Sequence, residues 1–257
     1  MTARALLLLA GAVAAWIMPG EAAQAGSAAY KLLKLDRQFV KWGAPQLGMP
    51  ALITYAYADG PITDESARNC KSMDRLDAAA ARSGLSVSDM TAAAEAAFRL
   101  WEKAGGVVFE KTDAVDRANI VIGAQTVPRG YAFTNVHKAT GAPRTVSRER
   151  NSERGLGSED REAVRPSGET TAQVAPISRS AICINPERTW KLGHDGDLKV
   201  YDLSFTFAHE IGHAIGLDHP GRKGEVMYFK YSEDFDGLQA GDISGIVRLY
   251  GPPASSN

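Results

Sequence analysis

Apolar and polar residues alternate most cleanly over Ala51–Ala58, where Leu52, Thr54 and Ala56 fall on one face and Ile53, Tyr55 and Tyr57 on the other. A period of two in β-branched and aromatic residues predicts a strand, and Gly60-Pro61 stops it. The period lengthens between Ser88 and Ala104, where Met90, Ala94, Ala97 and Trp101 recur at helical spacing. This predicts an alanine-rich helix that starts at a Ser88-Asp89 cap and ends at Gly105-Gly106 in the manner of a left-handed C-terminal glycine. Val107–Glu110 and Ala118–Gly123 are short β-branched runs and predict two more strands. Ala175–Ile177 and Ala181–Asn185 predict a further short strand, ended by Pro186. Asp202 or Ser204 can cap a second helix that runs to about Leu217, with Leu203, Phe207, Ile211, Ala214 and Ile215 as its apolar stripe. A strand, a long helix and two more strands predict an α/β or α+β sheet packed against that helix.

Other stretches lack periodicity. Residues 26–48 mix charge, glycine and a few apolar positions, and predict a loosely docked N-terminal arm. Residues 137–171 carry six arginines with interspersed acids and almost no large apolar side chains. Such a segment cannot bury enough surface to order itself, so a mobile polar insertion is expected at about 138–171, read as a solvated loop, a lid or a self-cleavage site. A loop from Glu187 to Tyr201 holds Trp190, His194, Asp195 and Asp197. No internal repeat of solenoid length is visible.

The first 25 residues place Arg4 ahead of the apolar run Ala5–Met18, then Pro19-Gly20 and Ala23-Gln24-Ala25. That order predicts a secretory signal peptide cleaved after Ala25. An apolar run of about 14 residues is shorter than the roughly 20 that span hydrocarbon, which argues against an anchor. No later stretch is long and apolar enough to span a bilayer, so the expectation is a secreted or periplasmic protein with no stable membrane insertion, taken as a monomer. The remaining chain of about 230 residues suits one domain with a long insertion. Loss of Arg4 and Glu21 leaves the formal charge at −1, so no basic field favours nucleic acid. An oxidising compartment predicts a disulfide between the two cysteines, Cys70 and Cys183, with a metal-capping thiolate as the alternative.

Histidine is scarce, five in the whole chain, yet three fall within His209-Glu-Ile-Gly-His213-Ala-Ile-Gly216-Leu-Asp-His219. On a helix His209 and His213 lie one turn apart, clear of the apolar stripe, and can share one ion. Gly216 accepts the positive φ of a chain that leaves the helix and swings back with His219. Three imidazoles leave a fourth position open, the mark of a catalytic rather than a structural zinc site. Glu210 follows the first ligand and projects beside the metal, where it can act as general base toward a water whose pKa zinc lowers to about 7. A bare HExxH also occurs as an ordinary helical pattern; the extended form, with the glycine and third histidine in place, is much rarer.

These residues carry a family resemblance. HEIGHAIGLDH is similar to the zinc-binding consensus of the metzincins, and Met227, eight residues after His219, falls where those enzymes keep the methionine of their Met-turn. The short separation resembles matrixins in particular, as does Met227-Tyr-Phe-Lys-Tyr231, with Phe229 where the family has proline. The Phe98–Trp101 helix, Ala118-Asn-Ile-Val-Ile-Gly123 and Gly241–Gly251 extend the resemblance over most of residues 50–251. It implies an α+β metzincin catalytic domain, with a twisted, mostly parallel sheet and an antiparallel edge strand, two long helices and a C-terminal helix. The expected organisation is a signal peptide at 1–25, an arm at 26–49, the catalytic domain at 50–251 and a tail at 252–257. The resemblance further implies one catalytic Zn2+ on His209, His213 and His219, Glu210 as the base, Met227 as an apolar floor, and Tyr228 and Tyr231 as walls of the pocket after the cut bond. The strand just before the zinc helix, Ile177–Asn185, would be the cleft's upper edge, where a polypeptide adds as an antiparallel strand.

The chain also departs from the pattern. Pro220 follows the third histidine as in serralysins, but the run to Met227 is short and glycine-aspartate nonapeptide repeats are missing. No cysteine lies in a propeptide-switch context, and the spacing of a second, structural zinc site is absent, which leaves His137 and His194 as surface residues. Asp195, Asp197 and Asp202 could offer oxygens to Ca2+, without the spacing of a recognised calcium loop. The function expected is a secreted zinc endopeptidase acting on polypeptide. The alternatives are a zinc hydrolase of another amide, such as a cell-wall peptide crosslink, or an exported, non-catalytic metal-containing binding protein.

Overall fold

The computed structural model describes residues 29–140 and 173–254. The expected signal peptide and nearly all of the polar insertion lie outside these residues. In chain order the elements are β1 Lys31–Leu32, β2 Lys34–Leu35, β3 Gln38–Lys41, β4 Ala51–Tyr57, β5 Ile62–Thr63, β6 Ser72–Asp74, α1 Asp77–Ser83 and α2 Val87–Ala104. There follow β7 Val107–Lys111, β8 Ile120–Gln125, β9 Ala132–Lys138, β10 Val174–Ile184, β11 Trp190–Lys191, β12 Tyr201–Asp202, α3 Leu203–Ala214, β13 Leu217–Asp218 and α4 Ala240–Tyr250.

The centre of the molecule is a mixed sheet in which β7, β4, β8 and β10 run parallel in that spatial order. β9 pairs antiparallel with β10 from Ala132↔Ile184 to Lys138↔Ile177 and, among the described residues, with no other strand. β3 joins the start of β10, with β2 folded back on it, and β6 runs antiparallel to β8. Side chains of one strand point alternately to opposite faces. Accordingly Ile120, Ile122 and Ile182 enter the large core beneath the helices, whereas Val121, Ala181 and Cys183 join a smaller cluster with Cys70 and Met73. The two halves expected around residues 175–185 form one continuous strand.

α2 buries Met90, Ala94, Ala97 and Trp101 completely, as their spacing predicts. Its cap is Ser86, two residues earlier than expected: the Ser86 hydroxyl accepts from the Asp89 amide while the Asp89 carboxylate accepts from the Ser86 amide. Its end also differs. Gly105 is extended, with φ −155°, rather than left-handed. The glycine is needed for close approach, because a Cβ there would meet Ile246 of α4 at 2.6 Å.

The N-terminal arm is not loosely docked. β3 completes the sheet, and Val40 and Trp42 are buried. The Trp42 indole donates to the Ala214 carbonyl at 2.8 Å, and its amide donates to the Tyr250 hydroxyl at 2.9 Å. Charge and glycine obscured this packing in the sequence, because the buried residues belong to a short strand whose partners are about 135 residues away along the chain.

Candidate metal centre

α3 positions the site. Asp202 caps it by accepting from the Phe205 amide at 2.6 Å. Leu203, Phe207, Ile211 and Ala214 are fully buried along one stripe, and Trp101 of α2 donates to the Ala208 carbonyl at 2.9 Å. With that stripe held against α2, His209 and His213 face the opposite side. The helix stops at Ala214 rather than Leu217, and Gly216, at φ +104°, turns the chain. A Cβ at Gly216 would lie 2.2 Å from the Val40 carbonyl oxygen, so the position is also one of close approach. β13 follows, pairs with β1 and delivers His219.

The three Nε2 atoms of His209, His213 and His219 lie 3.1 Å from one another. The His209 Nδ1–H donates to the Val226 carbonyl at 2.7 Å, and the His213 Nδ1–H donates to the Leu217 carbonyl at 2.9 Å. Those bonds fix the tautomers, so Nε2 of both rings is a bare lone pair. Lone pairs at this distance repel unless a cation lies between them. The centre of a triangle with 3.1 Å sides is about 1.8 Å from each corner, close to the ~2.0–2.1 Å of a Zn–N bond. The donor set therefore fits a zinc ion with an open position. Burial and the mutual influence of the rings hold His213 down to about 3, and burial also lowers His209 and His219, shifts that favour the neutral form a metal ligand requires. Among the described residues this is the only cluster of three histidine, cysteine or acidic side chains close enough to hold one ion.

Glu210 lies beside the triad and is 7% exposed. Burial pushes its carboxyl up to about 7, against the pull of a hydrogen bond from Thr134. Met227 packs under α3, where a Cβ on Gly212 would come 2.1 Å from its sulfur. Asp242 of α4 anchors that turn by accepting from the Val226 and Met227 amides at 2.8 and 3.0 Å.

The triad and Glu210 form part of the lining of a cleft of about 610 Å³. One side is β9, from Ala132 to His137; the other includes Tyr228, Phe229 and Tyr231. Tyr231 stacks on Tyr201, which stacks on Tyr131, with ring centroids at 4.3 and 3.9 Å. Tyr228 and Tyr231 thus both face the cleft, and Phe229 stands 58% exposed at its rim. The strand expected as the upper edge does not have that place. β10 is paired on both sides, by β8 and β9, which consumes its backbone groups, and β9 is the strand that borders the cleft.

Cys70 and Cys183 are joined in a disulfide, which removes the thiolate alternative. The three aspartates considered for calcium serve other ends. Asp202 is the α3 cap, Asp195 pairs with the Lys191 ammonium, and Asp197 accepts from the Lys199 amide. His137 pairs with Asp64 at 2.8 Å and His194 with Asp236 at 3.1 Å, so neither is an idle surface ring. Sequence reasoning missed β9, Thr134 and Asp242. β9 shows no apolar alternation, and Thr134 carries no local signal; only Asp242, third residue of a capped helix, had one.

Residues 154–251 match the matrixin peptidase family (Peptidase_M10). Matrix metalloproteinase-16 of Rattus norvegicus is 38% identical over 73 residues, 26% of this chain and 11% of the relative. Matrilysin of Mus musculus is 44% identical over 61 residues, 22% and 23% of the two chains, and matrix metalloproteinase-9 of Canis lupus familiaris is 45% identical over 53, covering 20% and 8%. The chain thus spans about a tenth to a quarter of the length of these relatives. With the His209–His219 segment, the converging imidazoles and these matches in agreement, the chain is similar to the matrixins over its C-terminal part.

Proposed function

We propose that the protein is an exported zinc-dependent endopeptidase. One observation carries this reading: three imidazole Nε2 atoms, each 3.1 Å from the other two, sit in an open cleft beside a buried carboxylate. A structural metal clip would be closed by a fourth protein ligand and would have no use for Glu210.

His209, His213 and His219 would hold the ion. Zinc so bound supplies a Lewis acid for a carbonyl and lowers the pKa of water. The remaining work falls to the chain's own groups. A peptide laid along the edge of β9 that no strand occupies among the described residues gains backbone hydrogen bonds that bring its scissile carbonyl to the triad. Glu210 accepts the proton that the attacking water releases and returns it to the leaving amine nitrogen. The Tyr131–Tyr201–Tyr231 stack and Phe205 offer an aromatic wall to the side chain after the cut bond. Among the described residues no helix is long and apolar enough to cross a membrane, which is compatible with export by a cleaved leader.

The test uses the protein without its leader and an unfolded protein as substrate. Cleavage should vanish with a chelator and return with zinc. Glu210→Gln should bind zinc with near wild-type affinity yet lose activity by at least about 100-fold, because the ligands stay and the base goes. A Glu210→Gln protein as active as wild type would refute the mechanism.

A further inference from the structure

Building on the peptidase reading, we infer that Thr134 is a positioning residue that aims the Glu210 carboxylate into the cleft. The Thr134 Oγ1 lies 2.6 Å from Glu210 Oε2 and 3.0 Å from the Glu210 carbonyl oxygen. Among the described residues no other group hydrogen-bonds that carboxylate. A glutamate side chain has three torsions, and at 7% exposure its carboxylate has little solvent contact to hold it in alternative orientations. One directed bond therefore decides which way it faces.

The hydroxyl suits this task for a chemical reason. It carries one proton and two lone pairs, so it donates to a carboxylate and can instead accept from a carboxylic acid while donating to the Glu210 carbonyl. An alkyl side chain of the same shape does neither.

The strand that carries Thr134 is held in register from its other face. The Asn135 side chain accepts from the Asn69 amide at 3.1 Å and donates to the Cys70 carbonyl at 2.8 Å, and the Asn135 carbonyl accepts from the Ser180 hydroxyl at 2.8 Å. Cys70 is in turn tied to β10 through Cys183. β9 is also the strand that borders the cleft, with its second edge unpaired among the described residues. A peptide docked there would be aligned by the same rigid strand that sets the orientation of the base, so one element fixes both partners of the proton transfer.

The experiment compares zinc-loaded wild type, Thr134→Val and Thr134→Ser by steady-state peptide cleavage, zinc stoichiometry, thermal melting and crystal structure. Thr134→Val should lose kcat on the order of 10- to 100-fold with KM within about twofold, because a base misplaced by about an ångström costs that much. It should keep one zinc and melt within a few degrees of wild type. Thr134→Ser, which keeps the hydroxyl, should recover at least about a third of the rate. In the Thr134→Val crystals the Glu210 carboxylate should turn or split between orientations while the triad stays in place. An unchanged kcat, a loss that serine does not rescue, or a carboxylate held in its wild-type orientation by valine would each overturn the assignment. If wild type cleaves no polypeptide the peptidase reading fails, and the carboxylate orientation in the two crystal forms still decides the role of Thr134.

Discussion

Glu210 and Lys41 are both titratable and both buried, and burial acts on them in opposite directions. It favours the neutral form of each, which raises the Glu210 carboxyl to about 7 and lowers the Lys41 ammonium to about 8. A cation on the neighbouring histidines would draw Glu210 back toward the carboxylate, so that group depends on the metal. Lys41 does not. Its ammonium donates to the Trp42 and Ala44 carbonyls at 2.7 and 2.9 Å, with the Tyr250 ring beneath it. Because its folded pKa lies below its unfolded 10.5, the unfolded chain binds more protons between about pH 8 and 10.5, and stability contributed by this group rises with pH over that window. Below pH 8 the full cost of the buried charge, about 3 kcal/mol, is present. Urea unfolding of wild type and Lys41→Met should therefore show the difference between them shifting in favour of wild type as pH climbs from 8 to 10.5. A difference independent of pH would mean that Lys41 is solvated. At this scale the three clustered imidazoles were legible and Thr134 was not. His209 and His213 are related by the helix period, whereas Thr134 meets Glu210 across 76 residues of chain.

Among the elements, α3 was read almost correctly from its stripe and cap, since both are local. What holds the turn below it was not. Asp242, on α4, caps its own helix by accepting from the Gln239 amide and also accepts from the Val226 and Met227 amides. The Val226 carbonyl in turn fixes the His209 ring. Asp242→Asn replaces one acceptor oxygen by a donor that faces these amides, and should destabilise the protein by about 1–3 kcal/mol. It should also weaken zinc retention, read as faster metal loss to a chelator, because His209 loses its orienting partner. Retention equal to wild type would show that the Met-turn holds its shape unaided. β9 is the element that sequence reasoning overlooked and β10 the one it misplaced. Both contain runs compatible with a strand, but which of them keeps an open edge depends on the order of strands in the sheet, and residue pattern is silent on order.

For the molecule as a whole, the sheet separates two layers, helices on one face and the Cys70 segment on the other. The disulfide spans 113 residues and ties that segment to β10. Cys70→Ser should lower stability by about 2–5 kcal/mol, seen as a lower melting temperature, without changing zinc stoichiometry. Loss of zinc in that variant would show that the disulfide supports the triad directly. The two long helices, the four parallel strands of the sheet, the three imidazoles and the bend at Gly216 could be recognised from residue order, because helix period, strand alternation and a positive-φ glycine are consequences of near neighbours. The seating of the N-terminal segment against Ala214 and Tyr250, the strand that borders the cleft, and the hydroxyl that meets Glu210 could not. Each arises where distant stretches of chain pair or pack, and such hydrogen bonds leave no periodic trace in the residues that make them.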